Sequence, residues 1–121
     1  MAKILVIDDD QSIRTFLDRL LSRKGYDVVL AGSGRQGLEL FHRERPHAVV
    51  LDLIMPELNG VAVLQQIRSV DEQIPVIVLT GTRIPEMKQQ TYAAGVTEFV
   101  EKEFSIHALL DALKRHLHTA L

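Results

Sequence analysis

Apolar and polar positions along the 121-residue chain follow two alternating rhythms. Short runs rich in β-branched residues, at Ile4–Ile7, Asp27–Leu30, Ala48–Leu51, Val76–Leu79 and Glu98–Glu101, read as strands. Five longer segments with helical spacing lie between and after them. In the first, Ile13, Phe16, Leu17, Leu20 and Leu21 recur at the i, i+3, i+4, i+7, i+8 positions of one helix face, and Gly25 supplies the stop. The last repeats this logic with Ile106, Leu109, Leu110, Leu113 and Leu117, opened by Ser105 as N-cap. Helices near Arg35–Glu44 and Val61–Ser69 are bounded by Gly34 and Pro46, and by Asn59-Gly60 and Pro75. The fourth segment, around Pro85–Ala94, has a poor stripe built on Ile84, Met87 and Tyr92, which predicts a loosely held helix.

Strict strand–helix alternation with nearly continuous apolar strands predicts an α/β fold, a parallel sheet covered on both faces through right-handed crossovers. The expectation is a single doubly wound (βα)5 domain of flavodoxin-like type, with a five-stranded parallel sheet in the order 2-1-3-4-5. That order sets strands one, three, four and five side by side. Ligands of doubly wound sheets bind beyond the carboxyl ends of the strands, and those ends carry Asp8 and Asp9, Asp52, Thr80 and Lys102. The second strand, an edge, ends in Ala31-Gly32 without such a group. Asp10 reads as the cap of the first helix.

Three carboxylates brought together repel one another unless a cation joins them. Magnesium takes oxygen ligands, keeps several waters and uses one or two carboxylates, which suits Asp9 and Asp52 with Asp8 behind them. The chain has no cysteine and no paired-histidine motif, so zinc is disfavoured, and thiol catalysis and disulfides are excluded. His42, His47, His107, His116 and His118 read as surface residues without a matching carboxylate. Fourteen basic against sixteen acidic residues give a formal charge of −2 with no basic run, and aromatic residues make up 5% with no Trp. Direct nucleic-acid binding is therefore not expected. The apolar run at Lys3–Ile7 is far too short for a spanning helix, so the expectation is a cytoplasmic protein with no membrane contact.

Four stretches in order carry a resemblance: Ile4-Leu5-Val6-Ile7-Asp8-Asp9-Asp10, the segment from Val49 to Gly60 containing Leu51-Asp52-Leu53-Ile54-Met55-Pro56, Val76-Ile77-Val78-Leu79-Thr80-Gly81, and Phe99-Val100-Glu101-Lys102. Over about Lys3–Leu117 the chain resembles the receiver domain of response regulators in two-component signalling, and the expectation is one receiver domain over 1–121. The resemblance implies that Asp52 accepts a phosphoryl group from a sensor histidine kinase or a histidine phosphotransfer protein in a phosphorelay. It implies that Asp9, Asp52 and the backbone carbonyl of Ile54 ligate Mg2+, with Asp8 acting through metal-bound water. Lys102 would contact a phosphoryl oxygen, while Thr80 swings to another and lets Phe99 turn inward as the switch. An output domain or downstream protein would be controlled, and a homodimer would use the face of the fourth helix, fifth strand and fifth helix. The chain would be a signalling phosphoacceptor and not an enzyme.

One position departs from the family pattern, and two others fall where receivers differ among themselves. Proline typically follows the lysine, whereas here Glu103 does, so a trans peptide is expected at Lys102-Glu103. Ile54, two residues after the acceptor, offers no hydrogen bond to an attacking water, and with Thr82 marks a position that tunes phosphate lifetime. Three rival readings stand beside this one. A receiver that binds partners without phosphorylation is the first. A magnesium phosphatase with an aspartyl nucleophile would need an acid where Ile54 stands. A flavin carrier would need a Ser/Thr/Gly loop where the three acids stand.

Overall fold

Strands that are apolar on both faces need cover on both sides of the sheet, and helices supply it. The computed structural model describes residues 1–55, 58–81, 85–101 and 106–118. Strands β1 (Lys3–Ile7), β2 (Asp27–Ala31), β3 (Ala48–Leu51), β4 (Val76–Thr80) and β5 (Glu98–Glu101) alternate with helices α1 (Gln11–Arg23), α2 (Gly34–Glu44), α3 (Gly60–Val70), α4 (Pro85–Ala93) and α5 (Ile106–His118). The strands pair in parallel in the order β2-β1-β3-β4-β5, the flavodoxin-like order expected from the sequence.

Alternation along each strand sorts side chains to opposite faces. Ile4, Val6, Val50, Ile77, Leu79 and Val100 meet Leu17 and Leu21 of α1 and Leu109, Leu113 and Leu117 of α5. Leu5, Ile7, Val49, Leu51 and Val76 meet Leu40 and Phe41 of α2 and Val63, Leu64 and Ile67 of α3. A smaller cluster of Leu53, Val61 and Val78 takes Met87 of α4 and Phe99 of β5 against it.

Helix starts follow local chemistry. The side chains of Asp10, Ser33 and Asn59 cap α1, α2 and α3 by accepting amides of the first turn. The α2 helix closes on Arg45 in the left-handed region, φ 48°, directly before Pro46, which cannot continue a helix. At the far end of α3, the Arg68 guanidinium donates to the carbonyls of Gly95, Asp71 and Ile74 and to Thr97 Oγ1, joining the turns that enter β4 and β5. Burial lowers its pKa, and the neighbouring Asp71 partly opposes that.

Two aromatic residues expected on buried stripes lie outward instead. Phe16 is 53% exposed because the part of α1 that reaches the sheet is narrower than the sequence stripe and centres on Leu17 and Leu21. Tyr92 is 54% exposed on α4, whose fully buried described side chain is Thr91. Ile84 and Ser105, assigned to the starts of α4 and α5, lie outside the described residues.

The tightest approach is at Gly60, the first residue of α3. A Cβ there would stand 2.3 Å from the carbonyl oxygen of Asp52 and 2.6 Å from Leu53 Cα, so only a glycine lets α3 begin against the end of β3. Its amide donates to Leu53 O at 2.9 Å. Gly60→Ala is expected to destabilise the fold by about 2–3 kcal/mol, since the obstructing atoms are backbone. Urea denaturation at equilibrium measures this, and an unchanged midpoint would contradict the packing described.

Candidate functional site

The parallel ladder runs one residue past the ends of β1 and β3. The Asp8 amide donates to Ala31 O at 3.1 Å, and the Asp52 amide donates to Ile7 O at 2.9 Å. Both acids are thereby held in sheet register at one carboxyl edge. Asp8 is 2% exposed and Asp52 5%, while Asp9 is open to solvent. One carboxylate oxygen from each of the three lies within 4.8 Å of the others.

Backbone donors orient the two buried acids. Asp8 Oδ1 accepts the Asp10 amide at 2.9 Å, and Asp52 Oδ1 accepts the Ile54 amide at 3.4 Å. Asp10 stands apart from the cluster, for its carboxylate caps α1 by accepting the amides of Ser12 at 2.8 Å and Ile13 at 3.3 Å. An all-oxygen set with open solvent on one side suits a hard divalent cation such as magnesium, which keeps part of its water. The site fits that ion by the chemistry of its donors.

Thr80 is fully buried at the end of β4. Leu51 is paired with Val78, so Thr80 stands one residue beyond the level of Asp52 on the neighbouring strand. Phe99 is paired with Val78 and Glu101 with Thr80, which puts Thr80 and Phe99 on the same face of the sheet. The Phe99 ring is half-buried against the Leu53, Val61 and Val78 cluster. Tyr92 stacks on it with centroids 6.3 Å apart, and Lys88 Nζ lies 5.3 Å from its centroid. Ile54 is 52% exposed beside the acid cluster. Lys102, Glu103 and Thr82 lie outside the described residues, as does the expected trans peptide at Lys102-Glu103.

One reading of the histidines is corrected. His116 is half-buried, and its Nε2 lies 2.7 Å from Glu98 Oε2. Arg115 Nη2 donates to both oxygens of the same carboxylate, at 2.5 and 2.6 Å. Adjacent helical residues thus grip one β5 side chain. His47 also has a role, its Nδ1 accepting the Lys3 amide at 2.9 Å.

A family model described as the response regulator receiver domain matches residues 4–114. The chain belongs to that family. The receiver is 40% identical over 112 residues to the response regulator MprA of Mycolicibacterium vanbaalenii, a match covering 93% of this chain and 48% of that one. It spans about half the length of the curated relatives it matches. Among solved structures it resembles the chemotaxis protein CheY4 of Vibrio cholerae, with TM-score 0.89, 33% identity, and 96% and 98% of the two chains covered. It also resembles the BeF3-activated N-terminal receiver domain of Klebsiella pneumoniae RstA, with TM-score 0.89, 27% identity, and 95% and 97% covered. Receivers are signalling domains, and no enzyme stands among these relatives. Among the described residues no helix is long and apolar enough to cross a membrane.

Several contacts near the site leave no mark in the linear sequence. Arg14 donates through Nη1 to the Asp8 carbonyl at 2.8 Å, Lys88 sits over Phe99, and Glu98 meets His116. Each involves an ordinary-looking charge on a helix, a residue type that gives no signal until its neighbour across the fold is known.

The Glu98 cluster carries a pH signature. The Arg115 hydrogen bond foremost, then that of His116, lowers the Glu98 pKa below the ordinary carboxylate range against partial burial. A folded value below the unfolded one contributes stability in full above the ordinary pKa, and that contribution disappears as pH falls through the lowered value. Glu98→Gln is expected to cost at most about 1 kcal/mol near neutrality, as partly solvated pairs do. Thermal unfolding of parent and variant at a series of pH values should show the difference shrinking toward zero in acid; a difference that grows in acid would have the wrong sign.

Proposed function

We propose that this receiver accepts a phosphoryl group on Asp52 from the phosphohistidine of a sensor histidine kinase or a histidine phosphotransfer protein. The observation that carries this reading is the position of Asp52. It is a buried carboxylate at the central strand end, held by the Ile7 carbonyl and grouped with Asp8 and Asp9 within 4.8 Å. In the transfer an Asp52 oxygen bonds to phosphorus, the phosphorus–nitrogen bond breaks, and the donor imidazole keeps the electron pair and takes up a proton. Mg2+, held by Asp9, Asp52 and the Ile54 carbonyl with Asp8 acting through bound water, would neutralise the phosphoryl oxygens.

The remaining roles belong to the protein's own side chains. Lys102 contacts one phosphoryl oxygen as a point charge, and the Thr80 hydroxyl contacts another. Movement of Thr80 opens room on the face it shares with Phe99, whose ring turns inward from its seat beneath Tyr92 and Lys88. The face of α4, β5 and α5, where Tyr92 is exposed, then presents a changed surface to an output domain, a downstream protein or a second copy. The domain is taken to extend over 1–121 and to work in the cytoplasm beside its kinase. Two structural neighbours are described as BeF3-activated, and beryllofluoride on a carboxylate imitates a phosphoryl group in charge and shape. That supports acceptance of phosphate over partner binding without it.

Incubation with a small phosphodonor and Mg2+ is expected to yield a single phosphorylated species on a phosphate-affinity gel, absent from Asp52→Asn. Equal labelling of that variant would remove Asp52 as acceptor. The exposed Ile54 side chain offers no polar atom to orient an attacking water. Ile54→Asn is therefore expected to lose phosphate roughly tenfold faster, less than a fully positioned general base would give. Decay of the labelled species over time measures this, and equal lifetimes would show that Ile54 does not set the rate.

A further inference from the structure

We infer that Arg14 is a positioning residue for the metal-binding acids, acting through the Asp8–Asp9 peptide; this rests on the reading of Asp8, Asp9 and Asp52 as a magnesium site. Arg14 lies in the first turn of α1, where its own amide donates to the Asp10 carbonyl. Helical side chains lean toward the N-terminus, so its half-buried guanidinium reaches back past the cap to the end of β1. There Nη1 donates to the Asp8 carbonyl at 2.8 Å.

That carbonyl belongs to the peptide that joins Asp8 to Asp9. A peptide is planar, so fixing its oxygen fixes its amide and the direction in which the chain leaves toward Asp9. Asp8 is already held by its amide on Ala31 O and by Oδ1 on the Asp10 amide. Asp9 is solvent-exposed, and the plane held by Arg14 is the lever that aims it.

The slot for the guanidinium is shaped by the second strand. Gly32 follows β2, and a Cβ there would stand 3.2 Å from Arg14 Nη1 and 3.4 Å from Cζ. The Gly32 amide is in turn held by Gln36 Oε1 at 2.7 Å. The strand end that carries no acid thus takes part in the site by leaving room for Arg14.

Two effects of Arg14 on a cation oppose each other, which makes the inference testable by sign. A positive guanidinium near the site repels Mg2+, so its loss would tighten binding if charge alone mattered. Loss of the tether would weaken binding if aim matters, by roughly tenfold, the lower range seen when a partner behind a metal ligand is removed. Titration of the whole chain with Mg2+ alone, read by calorimetry alongside circular dichroism, separates the two.

Arg14→Ala is expected to bind Mg2+ roughly tenfold more weakly than the parent. Arg14→Lys, which keeps an N–H donor to offer and the positive charge, should regain most of the loss. Equal or tighter binding by folded Arg14→Ala would overturn the inference. Should that variant not fold, Gly32→Val decides, because it keeps the Arg14 charge and fills the slot; weaker binding supports the tether and unchanged binding refutes it. A parent that takes up no Mg2+ would remove the metal reading itself and this inference with it, a result distinct from a parent that binds and variants that match it.

Discussion

The amide of Asp8 donating to Ala31, and that of Asp52 donating to Ile7, carry the sheet's hydrogen bonding one residue past its strands. At that point the side chains change from apolar to anionic while the backbone keeps its parallel register. The consequence is electrostatic as much as geometric. Carboxylates that would drift apart in a loop are held within 4.8 Å because moving either one would break a ladder bond and disturb the apolar packing beneath it. The core facing α1 and α5 and the core facing α2 and α3 meet at this edge, so both layers resist separation of the acids. Gly60 completes the arrangement from the other side, letting α3 start in contact with the backbone that carries Asp52.

Much of this is legible in the linear sequence because two independent patterns agree. Short apolar, β-branched runs mark the strands, and helical stripes such as Leu109, Leu113 and Leu117 mark the helices that cover the sheet. Topology then did the rest for the acids, since side chains at the ends of adjacent parallel strands must converge. Asp10 was separable from its neighbours in advance for a similar reason, as an acid directly before a helical stripe has a local use for its oxygens.

What escaped the sequence were contacts that depend on distance along the chain. Arg14 looks like any solvated helix charge until Gly32 is brought beside it. His116 and Glu98 lie on different elements 18 residues apart, and only the docking of α5 on β5 brings them together. Phe16 failed in the opposite way. It obeys the helical spacing, yet a helix lying on a twisted sheet buries a stripe narrower than that spacing allows, and the ring on its flank stays in water.

The attachment of α4 has a mechanical meaning. Among the described residues of this helix, Thr91 alone has a side chain fully removed from solvent, and its hydroxyl is turned back on the Met87 carbonyl at 2.6 Å. Met87 adds a partial contact, and Tyr92 and Lys88 rest on the Phe99 ring. The other helices are bolted to the sheet along several turns, whereas this one is mounted on a pivot of a single small residue, with an aromatic cushion at its side. A rotation about that pivot would sacrifice little of the apolar area buried by the described residues of the helix, so a displacement of the cushion would carry the exposed helix surface with it.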